Sequence, residues 1–275
     1  MKNYILFNPM AANGKCRSKL EESNKFTDSE YIDMTTLKSY DDFFDTLGEN
    51  DTVIIAGGDG TLNRFINDTE NTEIKCRLLY FPAGTGNDFF TDEGEDGTVE
   101  LNKYLNNLPT VTVNDRDYKF LNGIGYGIDG YCCEVGDELR KKSDKPVNYA
   151  SIAIKGLLFS YKPTSAKITV DGVEHSFDNV WIAPTMNGRF YGGGMEPTPN
   201  QKRDDDSVSV MVYHSKSKLK ALMIFPSIFK GEHIKHKDVV SVYEGRNISV
   251  EFNSPRALQI DGETIKNVLS YSVAK

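Results

Sequence analysis

Val53-Ile54-Ile55-Ala56-Gly57-Gly58-Asp59-Gly60-Thr61-Leu62-Asn63 is a short apolar run that enters a glycine-rich turn and then a helical pattern. An uncharged run of this length, bounded by a turn, reads as a strand buried on both faces, as in parallel sheets. The glycines allow a polyphosphate to approach the backbone closely and offer it bare N–H donors. The helix that follows adds a dipole favourable to anions at its N-terminus. Asp59 in such a loop suits a metal or a ribose hydroxyl. A plain strand-to-helix turn, with glycine supplying only conformational freedom, would give the same letters.

The arrangement recurs on either side. Leu78-Leu79-Tyr80-Phe81-Pro82-Ala83-Gly84-Thr85-Gly86-Asn87-Asp88 is again strand, glycine loop and helix start. Ile5-Leu6-Phe7-Asn8-Pro9-Met10-Ala11-Ala12-Asn13-Gly14-Lys15 supplies a third loop after a first strand. Strands over Tyr4–Phe7, Tyr31–Met34, Val53–Ala56 and Leu78–Phe81 alternate with helical spacing over Lys15–Phe26, Tyr40–Leu47 and Leu62–Asn67. Such alternation predicts a mostly parallel sheet covered on both faces. Loops after parallel strands gather at the carboxyl edge of the sheet, where α/β folds bind ligands, so three polar loops point to a nucleotide crevice. Residues 9–15 imitate a Walker A sequence, but Pro9 replaces its first glycine and Cys16 stands where Ser or Thr belongs, so a P-loop is rejected.

Beyond residue 110 the pattern changes. Val111–Val113, Lys119–Ile124, Ala166–Val170, Asn179–Pro184, Ser207–Tyr213, Val239–Tyr243, Ile248–Phe252 and Ala257–Ile260 read as strands spaced by turns. Helical patterns over Val147–Ser160 and Lys218–Phe225 interrupt them, which predicts a largely antiparallel sheet or sandwich. The expected division is an α/β ATP-binding domain over 1–112, a β-rich lipid or substrate domain over 113–265, and a terminal segment over 266–275 that could return to the first. Gly125-Tyr126-Gly127-Ile128-Asp129-Gly130 matches GxGxxG, but in the β-rich half it reads as a bent strand end rather than a dinucleotide site. His233 and His236 lack a third ligand for zinc. Cys132 and Cys133 read as packing residues, and Trp181 as core.

Composition narrows the classes further. Of 275 residues 39% are hydrophobic and 26% charged, enough for a soluble core. No apolar run approaches the ~20 residues of a membrane-spanning helix. Cys16, Cys76, Cys132 and Cys133 form no disulfide framework, which suits a reducing, cytoplasmic setting. A net charge of −8 excludes non-specific nucleic-acid binding. Residues 214–237 depart from it, with six lysines (216, 218, 220, 230, 235 and 237) against Glu232, a net of +5. That segment is either a solvated helix face or a surface for something anionic.

GGDGTLN at 57–63 and PAGTGNDF at 82–89, behind Phe7-Asn8-Pro9, resemble the catalytic domain of the bacterial soluble diacylglycerol kinases, a family that takes in sphingosine and ceramide kinases. The resemblance extends to Asn122 and the glycines after it, Tyr149 with Lys155-Gly156, Asn187 with Gly192–Gly194, residues 231–236 and Asp261-Gly262-Glu263. GGDGT alone is shared with NAD kinases, whereas GTGND with a late DGE is specific to the lipid kinases. The resemblance implies an α/β nucleotide domain followed by a β-sandwich, ATP as co-substrate, and Mg2+. Asn8, Thr36 (or Thr35), Gly57, Gly58, Asp59, Gly60, Thr61, Leu62, Asn63 and Thr85 match ATP-contacting positions. Asp59 and Asp88 match acids that organise Mg2+ and water around the phosphates. Glu263 matches the general base that takes the proton from the lipid hydroxyl; without the resemblance, Asp-Gly before it reads as a hairpin turn.

A structural Mg2+ site is implied at Asp204, the Ser207 carbonyl and the Ser209 hydroxyl. Three positions depart from the family pattern: Ala12 and Asp206 replace glycines, and Asn114 stands where a strand aspartate is expected, with the adjacent Asp115 on the opposite face by alternation. The expected partners are ATP and a membrane lipid reached by peripheral contact at the inner face of the membrane, with a homodimer left open. Rival readings are an NAD kinase-like enzyme and a catalytically silent nucleotide- or lipid-binding protein.

Overall fold

The computed structural model describes residues 2–84, 86–140, 152, 155–156 and 161–275. It divides into two compact units, Met1–Asn107 and Leu108–Lys275.

In the first unit β1 (Asn3–Phe7), β2 (Ser29–Asp33), β3 (Thr52–Gly57), β4 (Arg77–Pro82) and the short β5 (Val99–Glu100) form one sheet in the order β2-β1-β3-β4-β5. The first four are parallel and β5 is antiparallel to β4. Register places Leu6, Ile55 and Tyr80 in one cross-strand row and Ile5, Ile54 and Leu79 in the next, so successive rows face opposite sides. On one side Ile5, Ile54 and Phe81 pack with Cys16 and Leu20 of α1 (Cys16–Ser23). On the other, Phe44 of α2 (Tyr40–Phe44) meets Phe65 of α3 (Asp59–Asp68), and Tyr80 meets Phe89 of α4 (Asp88–Glu93). The strands read from sequence thus form the expected doubly covered α/β sheet. The helix expected over Lys15–Phe26 is shorter, because Asn24 ends it in the left-handed conformation.

The second unit is antiparallel throughout its described pairings. Its strands are β6 (Thr110–Val113), β7 (Arg116–Lys119), β8 (Gly123–Tyr126), β9 (Thr164–Val170), β10 (Val173–Ile182), β11 (Thr185–Met186), β12 (Val208–His214), β13 (Val240–Gly245), β14 (Asn247–Ile260) and β15 (Glu263–Ala274). They run in the order β7-β6-β15-β14-β8-β11-β12-β10-β9, with β13 on β12. Strand β14 is long enough to serve two neighbours: Ile248–Phe252 pair with β9, and Leu258–Ile260 pair with β8. The sheet therefore folds back on itself around Ile124, Tyr126, Ile168, Val210, Val250 and Leu258, the sandwich-like core. Residues 266–274 lie in β15, paired with β14 and β6 within this unit rather than returning to the first, because Val268, Tyr271 and Val273 alternate into its core.

Two further expectations change. After β8, Gly127 at φ +117° turns the chain into α5 (Ile128–Arg140), so GxGxxG marks a strand-to-helix turn and not a bent strand end. Its strand lies between antiparallel neighbours, outside any βαβ unit. Asn114 and Asp115 both have positive φ and form the two-residue turn between Val113 and Arg116, so strand alternation does not apply to them. The helical pattern at Val147–Ser160 and Tyr149 fall mostly or wholly outside the described residues, as does Thr85.

Candidate functional site

In the first unit the loops after β1, β3 and β4 stand at the carboxyl ends of adjacent parallel strands, and two of them interlock. The Gly57 carbonyl accepts from Ala83 N and Gly84 N, both at 2.9 Å, and from the Tyr80 hydroxyl at 3.1 Å. A Cβ on Gly58 would lie 3.2 Å from the Gly84 Cα, and one on Gly84 would overlap Gly58, so the loops meet backbone to backbone. Only glycine at position 84 permits that approach.

Asp59 completes the lock. Its Oδ2 accepts from Asp88 N at 2.8 Å and its Oδ1 from Phe89 N at 3.0 Å, so it caps the helix that begins the second loop's far side. The Asn87 Oδ1 accepts from Gly84 N at 3.0 Å, and Lys19 Nζ donates to the Ala83 and Gly84 carbonyls at 3.2 and 2.9 Å. Lys19 did not stand out in the sequence, since it acts on a loop distant from its own helix, whereas Asn87 stood out only as part of the GTGND motif. Asn8 joins the third loop: Nδ2 donates to Thr61 Oγ1 at 3.1 Å, and Oδ1 accepts from Met10 N at 3.0 Å.

Helix α3 then presents its first turn, where N–H groups have no partner within the helix, beside Gly58 and Gly60. That is a cradle suited to an anionic oxygen. Leu62 is fully buried and packs in the core, so its side chain faces away from any ligand; Asn63 is buried too. Thr35 and Thr36 are exposed just past β2, their hydroxyls donating to Asp33 Oδ1 at 2.6 Å and to the Asp33 carbonyl at 2.7 Å. Cys16, at the place of a Walker A hydroxyl, is buried with its thiol pushed up to about 11 by desolvation, which leaves it inert.

The second unit holds the late Asp-Gly-Glu. Asp261 and Gly262 both have positive φ and join Ile260 to Glu263 as a two-residue hairpin turn. Asp261 is buried, and its carboxylate accepts from Leu121 N at 2.6 Å, Asn122 N at 2.8 Å and Gly123 N at 2.9 Å. Glu263, one residue past the turn, is exposed. The clamped segment is held from its other side as well. Asn187 Nδ2 donates to the Leu121 carbonyl at 3.0 Å, and Arg203 donates to the same carbonyl and to Asn122 Oδ1. Lys275 Nζ donates to Asn187 Oδ1 and the Arg203 carbonyl, each at 2.8 Å; burial and the neighbouring guanidinium lower its affinity for a proton. The turn is thus real, and it also anchors Asn122, which the sequence marked only by resemblance.

Asp204 is exposed, while Ser207 and Ser209 are engaged with neighbouring side chains. His233 is buried on the Pro197 carbonyl at 2.9 Å and His236 is exposed, so they share no ligand site. Among the described residues no three His, Cys, Asp or Glu side chains cluster as metal ligands would. Within the lysine-rich segment, α6 (Lys218–Ile224) buries Ile224, and Phe225 after it is buried as well, whereas Leu219 and Met223, one turn apart on the same face, are each 67% exposed. The apolar run at 222–225 is therefore mostly core.

Two family models match the chain: the diacylglycerol kinase catalytic domain over residues 2–109, and the YegS C-terminal NAD kinase beta sandwich-like domain over residues 122–271. A diacylglycerol kinase of Mycobacterium tuberculosis (strain CDC 1551 / Oshkosh) is 27% identical over 217 residues, covering 73% of this chain and 67% of the relative. A diacylglycerol kinase of Bacillus subtilis (strain 168) is 24% identical over 223 residues, 79% of this chain and 72% of the relative. A crystal structure of a diacylglycerol kinase from Bacillus anthracis str. Sterne superposes with a TM-score of 0.60 at 20% identity over 100% of this chain and 94% of that one, a likeness of fold.

Proposed function

This chain belongs to the family of the diacylglycerol kinase catalytic domain, a family of lipid kinases, and from that premise we propose that it transfers the γ-phosphate of ATP to a hydroxyl of diacylglycerol or a similar lipid. The observation that carries the reading is the locked pair of glycine loops: Gly58 against Gly84, pinned by the Asp59 carboxylate on Asp88 N and Phe89 N. A cradle already fixed before ATP arrives loses little entropy on binding, and fixed donors stabilise phosphoryl transfer because the reaction depends on positioning and charge.

Each group has a distinct task in this reading. Backbone N–H groups of Gly58 to Thr61 hold phosphate oxygens, with Asn8 keeping Thr61 in place. Thr35 or Thr36 and Thr85 complete the nucleotide contacts. Asp59 is engaged by α4 through both oxygens, and Asp88 is 4% exposed, so both suit water around a nucleotide-borne Mg2+ better than direct ligation. Mg2+, when bound, supplies neutralisation of charge on the phosphates. Glu263, presented by a clamped turn and exposed, accepts the proton of the lipid hydroxyl as general base. The lipid is met at the inner membrane face through the lysine-rich segment, with Leu219 and Met223 as the apolar contact.

Glu263→Gln tests the chemistry. It removes the proton acceptor and keeps shape, so turnover of a diacylglycerol substrate should fall by about 10²–10⁴ with ATP affinity nearly unchanged. Wild-type turnover in this variant would show that Asp-Gly-Glu is only a turn.

A further inference from the structure

The loop over residues 201–209 carries the set that the family resemblance marks for a structural cation: Asp204, the Ser207 carbonyl and the Ser209 hydroxyl. Two of those three oxygens are already bound by one side chain. Gln201 is 5% exposed. Its Nε2 donates to the Ser207 carbonyl and to the Lys202 carbonyl, each at 2.9 Å, and its Oε1 accepts from Ser209 Oγ at 2.6 Å. Its backbone N–H donates to the Thr198 carbonyl at 3.0 Å, which fixes where the side chain begins. A primary amide has two hydrogens and one carbonyl oxygen to offer, and here all three are used.

That pattern excludes a cation at the same place. A metal ion takes oxygen lone pairs, so the Ser209 hydroxyl would have to turn its proton away; instead the proton is donated inward to the amide oxygen. Mg2+ also demands near-octahedral oxygen ligands at about 2.0–2.1 Å, and the amide already fills the approach to Ser207 and Ser209. Of the acids nearby, Asp204 is exposed, and Asp206 pairs with Arg246 at 3.1 Å.

We infer that Gln201 takes the place of the structural cation in this chain, its amide tying Ser207 to Ser209 and holding the loop without a metal. The tie has a consequence two residues on. Arg203, 4% exposed, sits in the same loop and reaches the Leu121 carbonyl and Asn122 Oδ1, in the segment that Asp261 clamps just before Glu263. With the loop held in this way, and on the proposed function, the Mg2+ requirement of turnover reduces to that of the nucleotide.

Thermal unfolding without nucleotide tests the inference independently of any kinase reading. Wild-type protein dialysed against EDTA should melt at the same temperature as protein in millimolar MgCl2 or CaCl2. Gln201→Ala should melt several degrees lower in both buffers, because it strands the Ser207 carbonyl and Ser209 hydroxyl in a buried loop. Gln201→Glu should melt lower in EDTA, since a carboxylate has no hydrogens for the two carbonyls. A wild-type melting temperature that drops in EDTA and returns with Mg2+ would overturn the inference. So would wild-type melting of either variant in EDTA.

Discussion

Asp59, Asp261 and Asp129 are three acids in glycine-rich turns, yet each carboxylate does a different physical job. Asp59 caps a helix and Asp261 clamps three consecutive N–H groups, so both carboxylates accept from backbone donors. Asp129 is almost wholly buried in α5, with the Tyr191 hydroxyl at 3.0 Å and Gly130 N at 3.0 Å as its donors. Burial outweighs them and pushes its carboxyl up to about 6. Because the folded value lies above the unfolded one, the folded protein binds the extra proton between about pH 4 and 6. This group's contribution to stability therefore falls as pH rises through that window and stays low above it. Asp129→Asn keeps an acceptor for Tyr191 and removes the charge. Relative to wild type, the variant should gain on the order of 2–3 kcal/mol between pH 4 and pH 7. Melting curves across that range check it, and a constant difference between the two proteins would refute it. A different cost is visible at Ala12, whose φ of +54° would suit glycine: a non-glycine residue there costs about 1–2 kcal/mol.

Two hairpins in the second unit use the same dipeptide, Asp171-Gly172 and Asp261-Gly262, both with positive φ at the two turn positions. Asp171 accepts from Arg246 N and Asn247 N at the surface, whereas Asp261 accepts from residues 121–123 in the interior. Replacing either with Ala adds the same backbone strain, so the comparison isolates the side chain. Asp261→Ala should cost about 3 kcal/mol or more, since each buried N–H left without a partner costs about 1–3 kcal/mol, and Asp171→Ala, at the surface, clearly less. Chemical denaturation of both variants measures the difference, and equal losses would mean that the interior clamp contributes nothing. Sequence distinguishes these turns poorly, because the partners of Asp261 lie some 140 residues away. What it does show is local: Val53–Ala56 running into glycines is legible as strand, loop and helix because burial and turn chemistry agree there. Helix α5 was not, since Gly130, Gly136 and paired cysteines give it weak helical character and its packing supplies the rest. Gln201 was invisible for the same reason as Asp261, its partners being set by the fold of the loop.

Over the whole molecule, charge is unevenly distributed, −8 in total against +5 over 214–237. Lys216, Lys218 and Lys230 are exposed, as are Leu219 and Met223, while Lys220 pairs with Asp238. Lysines near an anionic bilayer contribute about 1 kcal/mol each. Sedimentation with vesicles should therefore rise with anionic lipid content, and fall when Leu219 and Met223 are both changed to Ser or the three lysines to Glu. Binding indifferent to anionic lipid would remove this surface from the proposal. The sequence showed the charge but not which apolar residues face outward, because burial of Ile224 and Phe225 is decided by elements distant in the chain. One further property of the long β14 strand concerns synthesis. The first unit draws its sheet from contiguous sequence and can fold while translation continues. In the second, one edge of Thr110–Thr112 is paired early by β7 but the other finds its partner only at Ser272–Ala274, and β8 and β9 share a strand that follows both of them by many residues. A nascent chain stalled before residue 247 would hold a finished first unit and an unsealed sheet with bare strand edges, the species on which chaperones and proteases act.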